Sequence, residues 1–133
     1  MALFELVKKL IFNKAFLKRR SVSSVTEQKI KEEWRNISTL LAQKGPSQLK
    51  QALITADKTL DNALKDIAVG ETMGERLKAV KDRYDKNLYN KLWEAHKIRN
   101  NLVHETGYEP PYFVVTEAVD NLRAGLVAIG VRL

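Results

Sequence analysis

From residue 24 to residue 130 the hydrophobic positions recur at three- and four-residue intervals and hardly ever alternate. That period belongs to helices with one buried face, not to half-buried strands. Ser24-Val25-Thr26-Glu27 reads as a capping box, and Ile30, Trp34, Ile37 and Leu41 follow at 4-3-4 spacing. Gly45-Pro46 stops that helix, so a first bundle helix is predicted over roughly residues 24–44. Ser47 opens the next one. Leu49, Leu53, Ala56, Leu60, Ala63, Leu64 and Ile67 form its stripe and Gly70 closes it. Thr72-Met73-Gly74-Glu75 is a second capping box, starting a short helix through Leu77 and Val80. Asp82 to Asn87 is polar and turn-like. Leu88, Leu92, Ala95, Ile98 and Leu102 then mark a long helix to about His104.

Pro110-Pro111 forces the preceding residues into extended backbone, so Gly107 to Pro111 is a loop. The last helix carries Val115, Ala118, Val119, Leu122, Leu126 and Ile129 and ends near Gly130. The expected fold is all-α. A four-helix bundle over residues 24–130 has one short helix inserted before its third member.

The first 20 residues form a separate pattern. Leu3, Phe4, Val7, Leu10, Ile11, Ala15 and Phe16 recur at helical spacing among Lys8, Lys9, Lys14, Lys18, Arg19 and Arg20. That is an amphipathic basic helix. Lysines interrupt it too often for a membrane span, and it lacks the apolar centre and cleavage site of a signal peptide. Three readings stay open: a helix on an anionic membrane surface, a docking helix for a protein partner, or a helix packed on its own domain.

Composition changes the picture in two places. The net charge of +7 is concentrated, because residues 1–20 alone carry +5 and the rest of the chain only +2. A basic chain suggests nucleic acid, but here the excess sits mostly in one short segment. There is no cysteine, which excludes disulfides, thiolate metal sites and cysteine nucleophiles. It suits a reducing cytoplasm, with membrane association as the variant in which residues 1–20 dock.

Both histidines of the chain lie on the third main helix. At about 100° per residue, Leu88, Leu92, Ala95 and Leu102 share a sector with Arg99 near its centre. His96 stands at its edge, and Tyr89, Trp93, Asn100 and His104 form a neighbouring sector. A guanidinium on an apolar face needs a carboxylate or a cleft. Asp57, at the edge of the second helix's stripe, is the expected partner, since Asp61 points further out.

His96 and His104 are eight residues apart and cannot share a metal as an i, i+4 pair does. No phosphate-cradling Gly-rich loop and no nucleophile elbow is present. No metal or cofactor is therefore expected. Arg and His remain, one suited to clamping a phosphate and the other to moving protons near neutrality. Together they suit RNA cleavage, in which the ribose 2′-hydroxyl attacks the adjacent phosphodiester. His104 would serve as general base or acid, Arg99 would neutralise charge on the phosphorane-like transition state, and Asn100 would orient either.

Arg99, Asn100 and His104, near the end of the penultimate bundle helix, resemble the motif of the HEPN superfamily (higher eukaryotes and prokaryotes nucleotide-binding). Its helical domains carry Arg, usually a polar residue, and His after four to six intervening positions. The resemblance covers roughly residues 24–130 as architecture and these three positions as a motif. It implies a metal-independent endoribonuclease of the toxin or defence kind, with Arg99, Asn100 and His104 as the catalytic set. It further implies a homodimer whose two motifs build one cleft, single-stranded RNA as substrate, and an antitoxin or other protein as partner. Some toxin members have Tyr two residues after the His, where this chain has Thr106. Other members only bind or scaffold, so the competing expectation is a non-catalytic interaction module docked through residues 1–20. In that reading Asp57 and Arg99 are a buried ion pair, His96 is a packed supporting residue at the edge of the stripe, and His104 stabilises a helix end.

Overall fold

The structure is a computed structural model that describes residues 2–8 and 20–133. Residues 2–8 are helical and their apolar side chains Leu3, Phe4, Leu6 and Val7 are exposed. Lys8 lies over the Phe4 ring, 4.6 Å from its centre. Lys9, Lys14, Lys18 and Arg19 of the predicted basic helix lie outside the described residues.

Four long helices form an all-α bundle. They are α1 (Ser24–Gln43), α2 (Pro46–Ile67), α4 (Lys86–His104) and α5 (Tyr112–Ala128). The short α3 (Met73–Ala79) and a single 3-10 turn at Lys81–Arg83 stand between α2 and α4. The second helix is the hub, with contacts to α1, α3, α4 and α5. Its buried positions explain why. Leu49, Leu53, Leu60, Leu64 and Ile67 supply volume, and Ala52, Ala56 and Ala63 between them let neighbouring helices approach closely. Each fully buried leucine or isoleucine contributes about 1.5–3 kcal/mol relative to exposure. Trp34 beside them is anchored by a hydrogen bond, its Nε1 donating to Thr59 Oγ1 at 3.1 Å.

Helix ends follow local chemistry, with one correction. The cap of α1 is Ser23, not Ser24: its hydroxyl accepts the Thr26 N–H at 3.2 Å. Glu27 does not fold back to complete a box. It reaches the C-terminal segment, where it accepts the Arg132 backbone N–H at 3.0 Å and Arg132 Nη2 at 2.7 Å. Gly130 makes this contact possible. Its φ of +98° is open to glycine and strained for other residues, and it turns the chain so that Val131 enters the core. At the second box Thr72 does cap α3, accepting the Glu75 N–H at 3.1 Å.

These contacts set an acid limit. The hydrogen bonds from Arg132 hold the Glu27 carboxyl below its ordinary 4.5. Asp66 also lies below its ordinary 3.8: partial burial works against it, but hydrogen bonds from Thr26 and Ser23 outweigh the burial. A depressed folded-state pKa gives stability that is present above the unfolded value and lost as pH falls through the folded one. Urea unfolding midpoints should therefore be flat from neutrality to about pH 5 and fall below about pH 4.5. Glu27→Gln should flatten part of that fall, and an unchanged acid limb would remove the assignment.

Candidate functional site

The third long helix, α4, starts two residues before the predicted Leu88. Asp85 caps it by accepting the Leu88 N–H at 2.8 Å, which recruits Lys86 and Asn87 into the first turn. Tyr89, Leu92, Ala95 and Leu102 face the core. Leu92 lies against Gly125 of α5, where a β-carbon would come within 2.6 Å of Leu92 Cδ2. That close approach sets how deeply α4 sits, and so where its polar residues emerge.

Asp57 projects from α2 towards this helix and is only 3% exposed. His96 Nδ1 stands 3.1 Å from both of its carboxylate oxygens. A carboxylate only accepts, so Nδ1 carries the hydrogen. The expected Asp57–Arg99 pair is present but second in closeness, with Arg99 Nε 3.6 Å from Asp57 Oδ2. Arg99 Nη1 donates to Asn100 Oδ1 at 3.0 Å. The side chain is not sealed in the apolar stripe, being 31% exposed, although its Nε is buried and makes no hydrogen bond. Asp57, His96, Arg99 and Asn100 thus form one connected cluster.

His104 is not part of it. It stands exposed in the last turn of α4, where a cation is favoured by the helix dipole. It lines an open cleft of about 560 Å³ between the start of α2, with Ser47 and Lys50, and the loop from Glu105 to Pro110. Arg99 does not line that cleft. Five residues along a helix amount to about 140° of rotation and about 7.5 Å of rise, so the two side chains leave α4 in different directions.

Two further groups were not legible in the sequence. Arg76 of α3 is buried, with Nε 2.8 Å from Asp61 Oδ1, Nη2 3.1 Å from Asp61 Oδ2 and Nη1 donating to the Gly70 carbonyl at 2.7 Å. Beside α4, Lys78 lies 5.9 Å from the centre of the Trp93 ring and Lys81 5.7 Å from that of Tyr89. The rings of Tyr89, Trp93 and His96 meet edge to face at 6.3 and 6.2 Å.

Among the described residues no group of three or more His, Asp or Glu is placed to hold a metal ion, and no helix is long and apolar enough to cross a membrane. No protein-family model, curated protein or solved structure matches this chain.

Proposed function

We propose that this chain is a HEPN-like helical domain that cleaves single-stranded RNA as a homodimer. One observation carries the reading. Arg99 is held by Asp57 and Asn100 while its side chain stays 31% exposed, and His104 stands exposed and unengaged at the end of the same helix. A held guanidinium suits a phosphate, and a free imidazole suits proton transfer. The 2′ oxygen bonds to phosphorus as His104 takes its proton. The bond from phosphorus to the 5′ oxygen breaks, and the leaving oxygen receives a proton. Arg99 stabilises charge on the non-bridging oxygens. Because the two side chains diverge within one copy, a cleft using both needs Arg99 of one protomer opposite His104 of the other.

Full-length protein and a labelled single-stranded RNA, incubated in EDTA, test this. Arg99→Ala and His104→Ala should each lower cutting by about 10²–10⁴-fold with helicity unchanged. Mixing the two inactive variants should restore cutting, because one mixed site is complete. RNA left uncut by the unaltered protein, or cut equally by His104→Ala, overturns the proposal.

A second reading rests on a different observation, the exposed Leu3, Phe4, Leu6 and Val7 on helical residues 2–8. It makes the bundle an interaction module held at an anionic membrane surface by its N-terminal segment. In the same assay it leaves RNA intact, and substitutions at Asp57, His96 and Arg99 change stability alone.

A further inference from the structure

We infer that the exposed face of α4, flanked by Lys78 and Lys81, is a track along which a single RNA strand lies, its backbone running towards His104. The inference rests on the RNA-cleaving reading for where the track leads, but its own support is separate.

Lys86, Asn90, Trp93, Lys97, Asn101 and His104 follow one another at three- and four-residue steps, which places them on one face of the helix, opposite Leu92, Ala95 and Leu102. Lys86, Asn90, Lys97 and His104 are exposed. From Lys86 to His104 the face runs about 27 Å. The helix face itself carries no carboxylate, and beside it Asp82 of the 3-10 turn lines a cavity with Lys81, Lys86 and Asn90. Glu94 stands at its margin, and Asp85 is engaged as the helix cap.

Two more cations arrive from other elements. Lys78 of α3 is held over Trp93, and Lys81 of the 3-10 turn over Tyr89. A ring beneath an ammonium keeps it near one place, at a smaller entropy loss when a phosphate arrives. Four lysines thus gather on one strip, although residues 21–133 as a whole carry a net charge of only +2. Interspersed Asn side chains both donate and accept, as sugar and phosphate contacts require. The strip lacks exposed apolar side chains that would enter a bilayer, so its charge fits a polyanion in water better than a lipid surface. A single strand is the form that matches, since its backbone can adopt the in-line geometry of 2′-hydroxyl attack.

The test separates binding from cutting. In a His104→Ala background, a fluorescent single-stranded oligoribonucleotide is titrated by anisotropy across a salt series. Lys86→Gln/Lys97→Gln should weaken binding at least tenfold. It should also flatten the slope of log K against log salt by about 1.4, the contribution of two phosphate contacts on a single strand. Arg35→Gln/Arg123→Gln removes the same charge from residues lining another cavity, between α1 and α5, and should stay within twofold. Equal weakening by both pairs, no binding at all, or phosphatidylserine vesicles bound through Lys86 and Lys97 in place of RNA, overturns the track. RNA held by the strip yet never cut by the unaltered protein refutes the cleavage reading and leaves the track standing. Cutting with KM unchanged by Lys86→Gln/Lys97→Gln refutes the track and leaves the cleavage reading standing.

Discussion

Arg76→Ala should destabilise the protein by about 3 kcal/mol, read as a lower urea midpoint at unchanged slope. Arg76 is buried and forms a two-point pair with Asp61 while a third N–H holds the Gly70 carbonyl. Removing it leaves a backbone oxygen without its donor and a carboxylate whose remaining cation, Lys65, stands 3.9 Å away. Losing one member of a buried pair costs about 3–5 kcal/mol, and Asp61, which is one-fifth exposed, puts this pair at the lower end. Arg76→Lys should recover less than half, because one ammonium cannot match the planar fork that meets both carboxylate oxygens. A second change, Asp61→Asn, should hurt far less in the Arg76→Ala background than alone, since the charge that lost its close partner goes with it. A loss under 1 kcal/mol for Arg76→Ala would show that the pair does not fasten α3 to α2.

His96→Ala should cost about 1.5–3 kcal/mol, the range for a hydrogen bond to a charged group. The buried partner is Asp57, and His96 is its close donor, whereas Arg99 Nε is 3.6 Å away. Without the imidazole the carboxylate keeps one long ion pair in a desolvated position. Asp57→Asn in the His96→Ala background should therefore restore part of the loss, while Asp57→Asn alone is destabilising. The sign reversal is the diagnostic result, and additive losses would refute the coupling. The experiment also divides the functional readings. If the cluster serves to hold Arg99 for a phosphate, His96→Ala reduces RNA cutting below the melting transition. If it is only a fastening, cutting does not change.

Much of the bundle could be read in advance, because helix existence depends on the period of apolar positions and the stop signals are local. The end of α1 at Gly45-Pro46 and the loop at Pro110-Pro111 are of that kind. The start of α4 was missed by two residues, since Asp85 sits in a polar run whose capping role shows only when the Leu88 N–H is in place. The Ser24–Glu27 box failed for the opposite reason. The local pattern was good, but Glu27 found a stronger partner in Arg132, 105 positions away. A helical wheel gives direction and not distance. It placed Asp57 opposite α4, and could not show that His96 would lie closer to it than Arg99. Arg76 gave no signal, because its partner is decided by how α3 docks on α2. The Arg99 and His104 spacing was plain in the sequence. Their divergence around α4 follows from the helix itself, and the cleft beside His104 becomes visible only once the loop from Glu105 to Pro110 is laid against α2.

The clasp between Glu27 and Arg132 also bears on the rate of unfolding. It joins residues 105 positions apart, so forming it early would require closing a loop at an entropic cost of about 4 kcal/mol plus a constant. It can form cheaply only after α1 and α5 have already docked through α2. A contact made that late is absent from the folding transition state, and contacts absent there slow unfolding without speeding folding. The small turn at Gly130 therefore acts as a brake on opening: it lengthens the life of the folded chain more than it changes how quickly that chain is reached.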